Sequence, residues 1–335
     1  MTIKLGIVGC GTLFRRRILP ELQKLPEFEI TSIMDPATEV LKEVSSKVKV
    51  KNSYTGFEEF LKDTSYDAVY ISTPNFLHAP YAVKLLGSGR ACLCEKPVAP
   101  SVKEAVLIEK AVKKTNKTFM VAYMSYLNNY NKKAAEITGS GKIGKIKSLN
   151  SFFSFPDFDM TNWRNQQKFG GGVLLDIGIY CVTVFKEIAG GLPLSVKAEI
   201  YPKWKTGKVD RVFTAALEFE KGITGNIFCS LNHPEECGYD IAGTKGVVSV
   251  RKSFYQTGQG EIIAVNENGL KEDVEISEVN PYGCELEYFY DLVSKNKQPE
   301  RKFSIEGAID DMKICEAIRK SGETGTPVVL GGKNG

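Results

Sequence analysis

The chain is 335 residues long, 42% apolar and 25% charged, which suits a globular protein of two or three domains. Its 44 basic and 40 acidic side chains leave a net charge of +4, so nothing argues for nucleic acid or an anionic membrane as partner. No apolar run approaches the ~18 residues of a membrane span. Only two histidines occur, His78 and His233, which argues against a histidine-rich metal site. The eight cysteines are scattered and form no C-x-x-C, and the N-terminus opens on a strand-like run rather than a signal peptide. Free, mostly buried thiols in a reducing cytoplasm are therefore predicted, with no metal.

Ile3–Val8 reads as a strand, Gly9-Cys10-Gly11-Thr12-Leu13-Phe14 as a turn, and Arg15–Leu25 as a helix. Strand, glycine turn and helix open a dinucleotide-binding unit, with Gly9 making the turn and Gly11 letting the backbone approach a pyrophosphate. Phe14 stands where the third small residue of G-x-G-x-x-G belongs, so the fingerprint is incomplete. The next strand, Glu29–Met34, ends at Asp35, 24 residues beyond Gly11 and near the ~20 expected of the acid that bonds the adenosine ribose. An acid there repels a 2′-phosphate and favours NAD. Arg15, Arg16 and Arg17 pull toward NADP, and a turn aspartate before Pro36 is the plain alternative.

Tyr66–Ser72 is a third strand, closed by Thr73-Pro74-Asn75, and the helix that follows carries His78. Thr73 and Asn75 are polar groups at a strand's carboxyl end and suit a cofactor. His78 serves either the cofactor or a helix surface. Ala91-Cys92-Leu93-Cys94 is a buried-strand run that stops at Glu95-Lys96-Pro97, leaving an acid and a base at the sheet edge where ligands bind. A lysine desolvated there suits proton chemistry, whereas a surface ion pair is the plain reading. Ser101 with Glu104 caps a helix to Thr115, and Thr118–Tyr123 is another strand. The alternation predicts a parallel, doubly wound sheet.

Beyond Tyr123 the pattern changes. A helix near 130–138 is followed by β-like runs at 146–155, 194–201, 211–219, 223–231, 239–242, 247–251 and 261–265, mostly joined by short turns. Short connections require a mainly antiparallel sheet with one face covered by helices, and two further helices follow near 285–295 and 305–322. Inside this half lie Trp163-Arg164 and then Gly170-Gly171-Gly172, leading into a helical run with Asp176 and Tyr180 spaced i and i+4. A carboxylate and a phenol stacked behind glycines that let a ligand close in form a candidate site. A buried tyrosine bonded to its helix neighbour is the alternative.

Together Ile7-Val8-Gly9-Cys10-Gly11, Thr73-Pro74-Asn75 with His78, Glu95-Lys96-Pro97, Gly170–Gly172 with Asp176-Ile177-Gly178, and Cys284–Phe289 resemble the glucose–fructose oxidoreductase / inositol dehydrogenase / MocA family, nearly end to end. The resemblance implies an NAD(P)-binding Rossmann domain over 1–123 and an α+β domain with a large, open, mainly antiparallel sheet over 124–302. It also implies a C-terminal helix over 303–330 that returns to the first domain. It implies that Lys96 lies by the nicotinamide and that position 180 carries the acid/base group. There tyrosine replaces the histidine of many members and marks the branch of glucose–fructose oxidoreductase, xylose dehydrogenase, dihydrodiol dehydrogenase and nucleotide-sugar 3-ketoreductases. Arg16-Arg17 with Leu19-Pro20 also looks like the 3-ketoreductases. Tyr126-Leu127-Asn128 departs from the arginine and aromatic residue that relatives often carry near the substrate.

The expected activity is reversible hydride transfer between NAD, or NADP, and a hydroxyl or ketone carbon of a sugar, polyol or diol. Lys96, Tyr180 and Asp176 form the expected catalytic set. A free tyrosine titrates near ~10, so a neighbouring Lys96 cation is expected to favour the phenolate, with Asp176 orienting the pair. Gly9, Gly11, Thr12, Leu13, Asp35, Thr73, Asn75, His78, Glu95, Lys96, Trp163 and Arg164 are the expected cofactor contacts. The rivals are an NADPH-dependent nucleotide-sugar 3-ketoreductase, a non-catalytic cofactor-binding regulator and an NAD-dependent glycosidase. An open sheet face is expected to leave a broad apolar patch and so to make a homodimer or homotetramer.

Overall fold

The structure is a computed structural model that describes residues 2–204, 207–255, 257, 259–266, 271–272 and 276–331. The chain divides into two compact units, Met1–Met124 with Tyr282–Ile309, and Ser125–Pro281 with Asp310–Gly335.

In the first unit the elements are β1 Ile3–Val8, α1 Leu19–Leu22, β2 Phe28–Met34, α2 Thr38–Lys47, β3 Asn52–Tyr54 and α3 Phe57–Lys62. They continue with β4 Ala68–Ile71, α4 His78–Gly87, β5 Ala91–Glu95, α5 Val102–Thr115 and β6 Phe119–Ala122. The strands are all parallel in the order β3-β2-β1-β4-β5-β6. Every residue of β4, β5 and β6 is buried, which is why these runs are continuously apolar rather than alternating. The predicted cap of α5 forms: Ser101 Oγ accepts from the Glu104 N–H at 3.3 Å. The Arg15–Leu25 run does not form one regular helix. It starts with a π turn, Phe14–Ile18, and becomes α-helical only at α1.

The second unit contains α6 Asn129–Gly139, β7 Ile146–Ser154, α7 Ile179–Ala189, β8 Ser195–Tyr201, β9 Val212–Glu218 and β10 Thr224–Ser230. β11 Glu236–Gly243, β12 Gly246–Arg251, β13 Glu261–Asn266 and β14 Lys271–Glu272 follow. Of the last elements, α8 Pro281–Ser294 lies almost wholly in the first unit, α9 Ile305–Thr324 begins there and continues into the second, and β15 Val328–Val329 belongs to the second. Among the described residues the second sheet has nine strands, β14-β13-β12-β11-β7-β10-β9-β8-β15. Only β7 and β10 pair in parallel. Along β8 and β9 burial alternates strictly, so Val196, Ala198, Ile200, Phe213, Ala215 and Leu217 point to the covered face. Burying each of the larger side chains stabilises the unit by about 1.5–3 kcal/mol.

The opposite face is not the broad apolar patch expected of it. Lys197, Glu199, Thr214 and Asn226 share it with Phe152 and Phe228, because the period of two that fills the core with apolar residues sends polar ones outward. Among the described residues no helix is long and apolar enough to cross a membrane. All eight cysteines are free thiols and all but Cys284 are buried.

Candidate functional site

In the first unit the strand order reverses direction between β1 and β4, which opens a crevice at their carboxyl ends. The glycine turn closes against β4 there. Gly9 has φ +89°, and a Cβ on it would sit 2.6 Å from the Ser72 carbonyl oxygen, so only glycine lets the two strand ends meet. Ser72 Oγ donates to the Gly9 carbonyl at 2.7 Å. A Cβ on Gly11 would meet nothing within 4 Å, so space is left beside the backbone. Thr12 is exposed and Leu13 half-buried next to it. Asp35 braces the turn: Oδ2 accepts from the Cys10 N–H at 2.9 Å and Oδ1 from the Ala37 N–H at 2.9 Å. Arg15 is drawn away to an ion pair with Glu43, while Arg16 is exposed.

Thr73 and Asn75 follow β4. Thr73 Oγ1 is buried with no hydrogen-bond partner among the described residues, and Asn75 is buried. The open flank of Gly11 and this unused hydroxyl fit a dinucleotide coenzyme lying across the crevice. His78 serves its neighbourhood differently. Its Nδ1 lies 2.8 Å from the Pro97 carbonyl oxygen and its Nε2 2.9 Å from that of Thr73, so the ring ties the loops after β4 and β5 together. Burial lowers its pKa, against the two carbonyl oxygens, which favour the charged ring.

At the end of β5, Glu95 is buried and accepts from Tyr70 Oη at 2.6 Å. Burial pushes the Glu95 carboxyl up, against the pull of the Tyr70 hydrogen bond and the neighbouring Lys96 charge. Lys96 is half-buried, and the Lys96-Pro97 peptide is cis.

The second unit carries the other half of the predicted set. The chain turns at Gly170 and Gly172, with φ +72° and +111°. A Cβ on Gly171 would lie 2.3 Å from the Arg164 carbonyl oxygen, and one on Gly172 would lie 2.2 Å from Asp210 Oδ1. These glycines therefore admit protein, not ligand, which corrects the expectation that they let a ligand close in. Asp210 is fully buried, with Oδ2 accepting from the Leu174 N–H at 2.7 Å and Oδ1 from the Trp204 indole. Burial raises its pKa despite these bonds and the nearby Arg319 charge.

The helical run then opens with a π turn, Leu174–Gly178, before α7. Asp176 accepts from Arg164 Nε at 2.9 Å, and the Arg164 guanidinium lies 4.7 Å from the Trp163 ring centroid. Tyr180 is 5% exposed, with its ring 5.7 Å from that of Phe153 and 5.5 Å from that of Phe254.

The predicted residues thus fall into two groups. Gly9, Gly11, Asp35, Thr73, Asn75, His78, Glu95 and Lys96 gather at the carboxyl edge of the first sheet. Trp163, Arg164, Asp176 and Tyr180 gather around one turn of the second unit. Sequence reasoning passed over Ser72, Tyr70, Asp210, Phe153 and Phe254. Each reaches its place through contacts between residues far apart in the chain, and no local spacing marks it.

Comparison with known proteins gives one direction for both units. A family model described as "Oxidoreductase family, NAD-binding Rossmann fold" matches residues 3–123, and one described as "GFO/IDH/MocA C-terminal domain" matches residues 131–249. D-xylose 1-dehydrogenase (NADP(+)) 2 of Haloferax volcanii is 28% identical over 97% of this chain and 99% of its own length. The aldose-aldose oxidoreductase from Caulobacter crescentus, solved with glycerol, superposes with TM-score 0.90 at 23% identity, covering 98% of this chain and all of that one. A 3-ketoreductase from Actinomadura kijaniata, solved with NADP and TDP-benzene, superposes with TM-score 0.89 at 23% identity, covering 96% and 98%.

Proposed function

The chain belongs to the Gfo/Idh/MocA family and is an NAD(P)-dependent oxidoreductase; on that premise we propose that its substrate is a sugar, polyol or diol and that Tyr180 and Lys96 carry the proton. The observation that carries the reading is Tyr180 itself. It is a nearly buried phenol packed against Phe153 and Phe254, four residues past an aspartate fixed by Arg164. Bound NAD(P)⁺ supplies the hydride acceptor. In the oxidative direction the Tyr180 phenolate takes the hydroxyl proton as the hydride leaves the same carbon, and the return reaction reverses both transfers. The positive charge of Lys96 favours the phenolate. Asp176, held by Arg164, orients the substrate or the acid/base pair. Gly9, Gly11, Thr12, Leu13, Thr73 and Asn75 cradle the coenzyme phosphates and nicotinamide ribose. His78 and Glu95 hold the loops that do so, and Trp163 with Arg164 is a further proposed coenzyme contact.

Asp35 is an anion at the end of β2 and repels a 2′-phosphate, so NAD is the proposed coenzyme. The second reading is an NADPH-dependent nucleotide-sugar 3-ketoreductase. It is favoured by the exposed Arg16 after the glycine turn and by the 3-ketoreductase solved with NADP. Paired titration of NADH and NADPH, followed by a panel of free aldoses, diols and diphosphate-linked sugars, separates the two. Tight NADH binding with turnover of a free aldose supports the first reading. NADPH preference with turnover only of a diphosphate-linked sugar supports the second. The protein is proposed to work in the cytoplasm as a dimer or tetramer paired through the mixed face around Phe152 and Phe228; a monomeric mass in solution refutes that assembly.

A further inference from the structure

The proposed chemistry uses Glu95 and Lys96 but leaves unexplained an acid in the same unit. Glu285, on the second turn of α8, is fully buried. Neither of its carboxylate oxygens has a hydrogen-bond partner among the described residues. It lies close enough to Glu95 for the two carboxyls to repel one another, and its charge also acts on Tyr70, as does Tyr282 of its own helix. An ionised carboxylate buried without a donor or a cation is among the most unfavourable groups a protein can hold. Two carboxyls sharing one desolvated space avoid this by sharing a single charge.

The surroundings decide which of the two keeps it. Glu95 accepts from Tyr70 Oη at 2.6 Å and is followed directly by the Lys96 cation, both of which favour its ionised form. Glu285 has neither. We propose that Glu285 is a positioning residue held as a neutral carboxylic acid beside an ionised Glu95, so that the pair carries one negative charge and keeps it next to Lys96. Its neutral carboxyl fills the space behind Glu95 without adding a second anion that would pull the ammonium inward. The proposal rests on the functional reading for the role of Lys96, but the protonation state of Glu285 can be read without any turnover.

The test uses the full chain with Glu285→Gln and Glu285→Ala. Infrared difference spectra of wild type against E285Q at neutral pH are expected to show the C=O stretch of a protonated carboxyl in the wild type alone. Its absence overturns the proposal whatever the enzyme's activity. Thermal unfolding gives a second readout. The folded-state pKa of Glu285 is raised, so its stabilising contribution is complete below the ordinary carboxylate value and is lost progressively as pH rises toward the folded value. The wild-type midpoint should therefore fall relative to that of E285Q between pH 5 and 8, and parallel curves overturn the proposal. Under the assay that defines the substrate, E285A is expected to lower kcat on the order of tenfold with coenzyme affinity unchanged, and E285Q to restore most of it. E285Q as slow as E285A would mean that an ionised carboxylate is needed there, and the assignment falls.

Discussion

Each unit has a glycine turn, and the two turns use glycine for opposite ends. At the first, Gly9 brings β1 against β4, but the flank of Gly11 is empty to 4 Å. At the second, the room freed at Gly171 and Gly172 is filled by the Arg164 main chain and the Asp210 carboxylate. Each turn is also braced by an aspartate that accepts main-chain N–H groups. Asp35 is half-buried at the first, and Asp210 is wholly buried at the second. One turn is shaped to receive something and the other to hold something still. A turn that cradles a coenzyme must stay open, whereas a turn that aims an acid/base residue must not move.

In the proposed function proton transfer falls to the second turn, and the largest expected effect tests that. Tyr180→Phe removes the hydroxyl but keeps the ring against Phe153 and Phe254. It should lower kcat by about 10²–10⁴-fold while leaving the NAD(P)H dissociation constant unchanged, as read by coenzyme fluorescence. Full activity in this variant would defeat the assignment. Next in size is Gly172→Ala. It forces a side chain into φ +111° and against the buried Asp210, and should destabilise the protein by about 3 kcal/mol in a denaturant titration. A loss under about 0.5 kcal/mol would show that the second turn is not packed as described.

Gly11→Ala is the counterpart at the open turn. The added methyl meets no atom of the protein, so the unfolding midpoint should hold, within about 0.5 kcal/mol. Coenzyme affinity should nevertheless weaken about tenfold, or 1.4 kcal/mol, because the methyl takes space reserved for the ligand. A stable variant that binds normally would remove the distinction between the two turns.

Much of the first unit was legible in the residues, because its signals are local. A strand, a glycine turn and Asp35 lie within one stretch of chain, and Ser101 with Glu104 marks a helix start by spacing alone. The antiparallel character of the second sheet followed from short connections. The single parallel pair, β7 with β10, did not, since pairing between residues 76 apart, such as Ser148 and Thr224, leaves no local trace. The π turns at Phe14–Ile18 and Leu174–Gly178 were equally hidden: apolar periodicity is too coarse to register one extra residue in a turn. The purpose of Gly170–Gly172 was misread for a related reason. Sequence shows that room is made, not what fills it, and Asp210, which fills it at Gly172, arrives from the loop before β9.

The smallest expected effect concerns that occupant. Asp210→Asn keeps the shape but offers one acceptor oxygen where the carboxylate offers two, so either the Leu174 N–H or the Trp204 indole loses its partner. That loss is offset in part, because the wild type buries a charge that asparagine does not. The net destabilisation at neutral pH should be about 1 kcal/mol. Its pH dependence carries the sharper information. Burial raises the folded-state pKa of Asp210, so the folded protein takes up its proton before the unfolded chain does. The ionisation penalty in the wild type therefore disappears as pH falls through the folded value toward the ordinary carboxylate value near ~4, while D210N has none to lose. The stability gap between wild type and D210N should widen over that descent. A gap that narrows would mean that the donors around Asp210 outweigh its burial, and that the second turn is held by an ionised carboxylate.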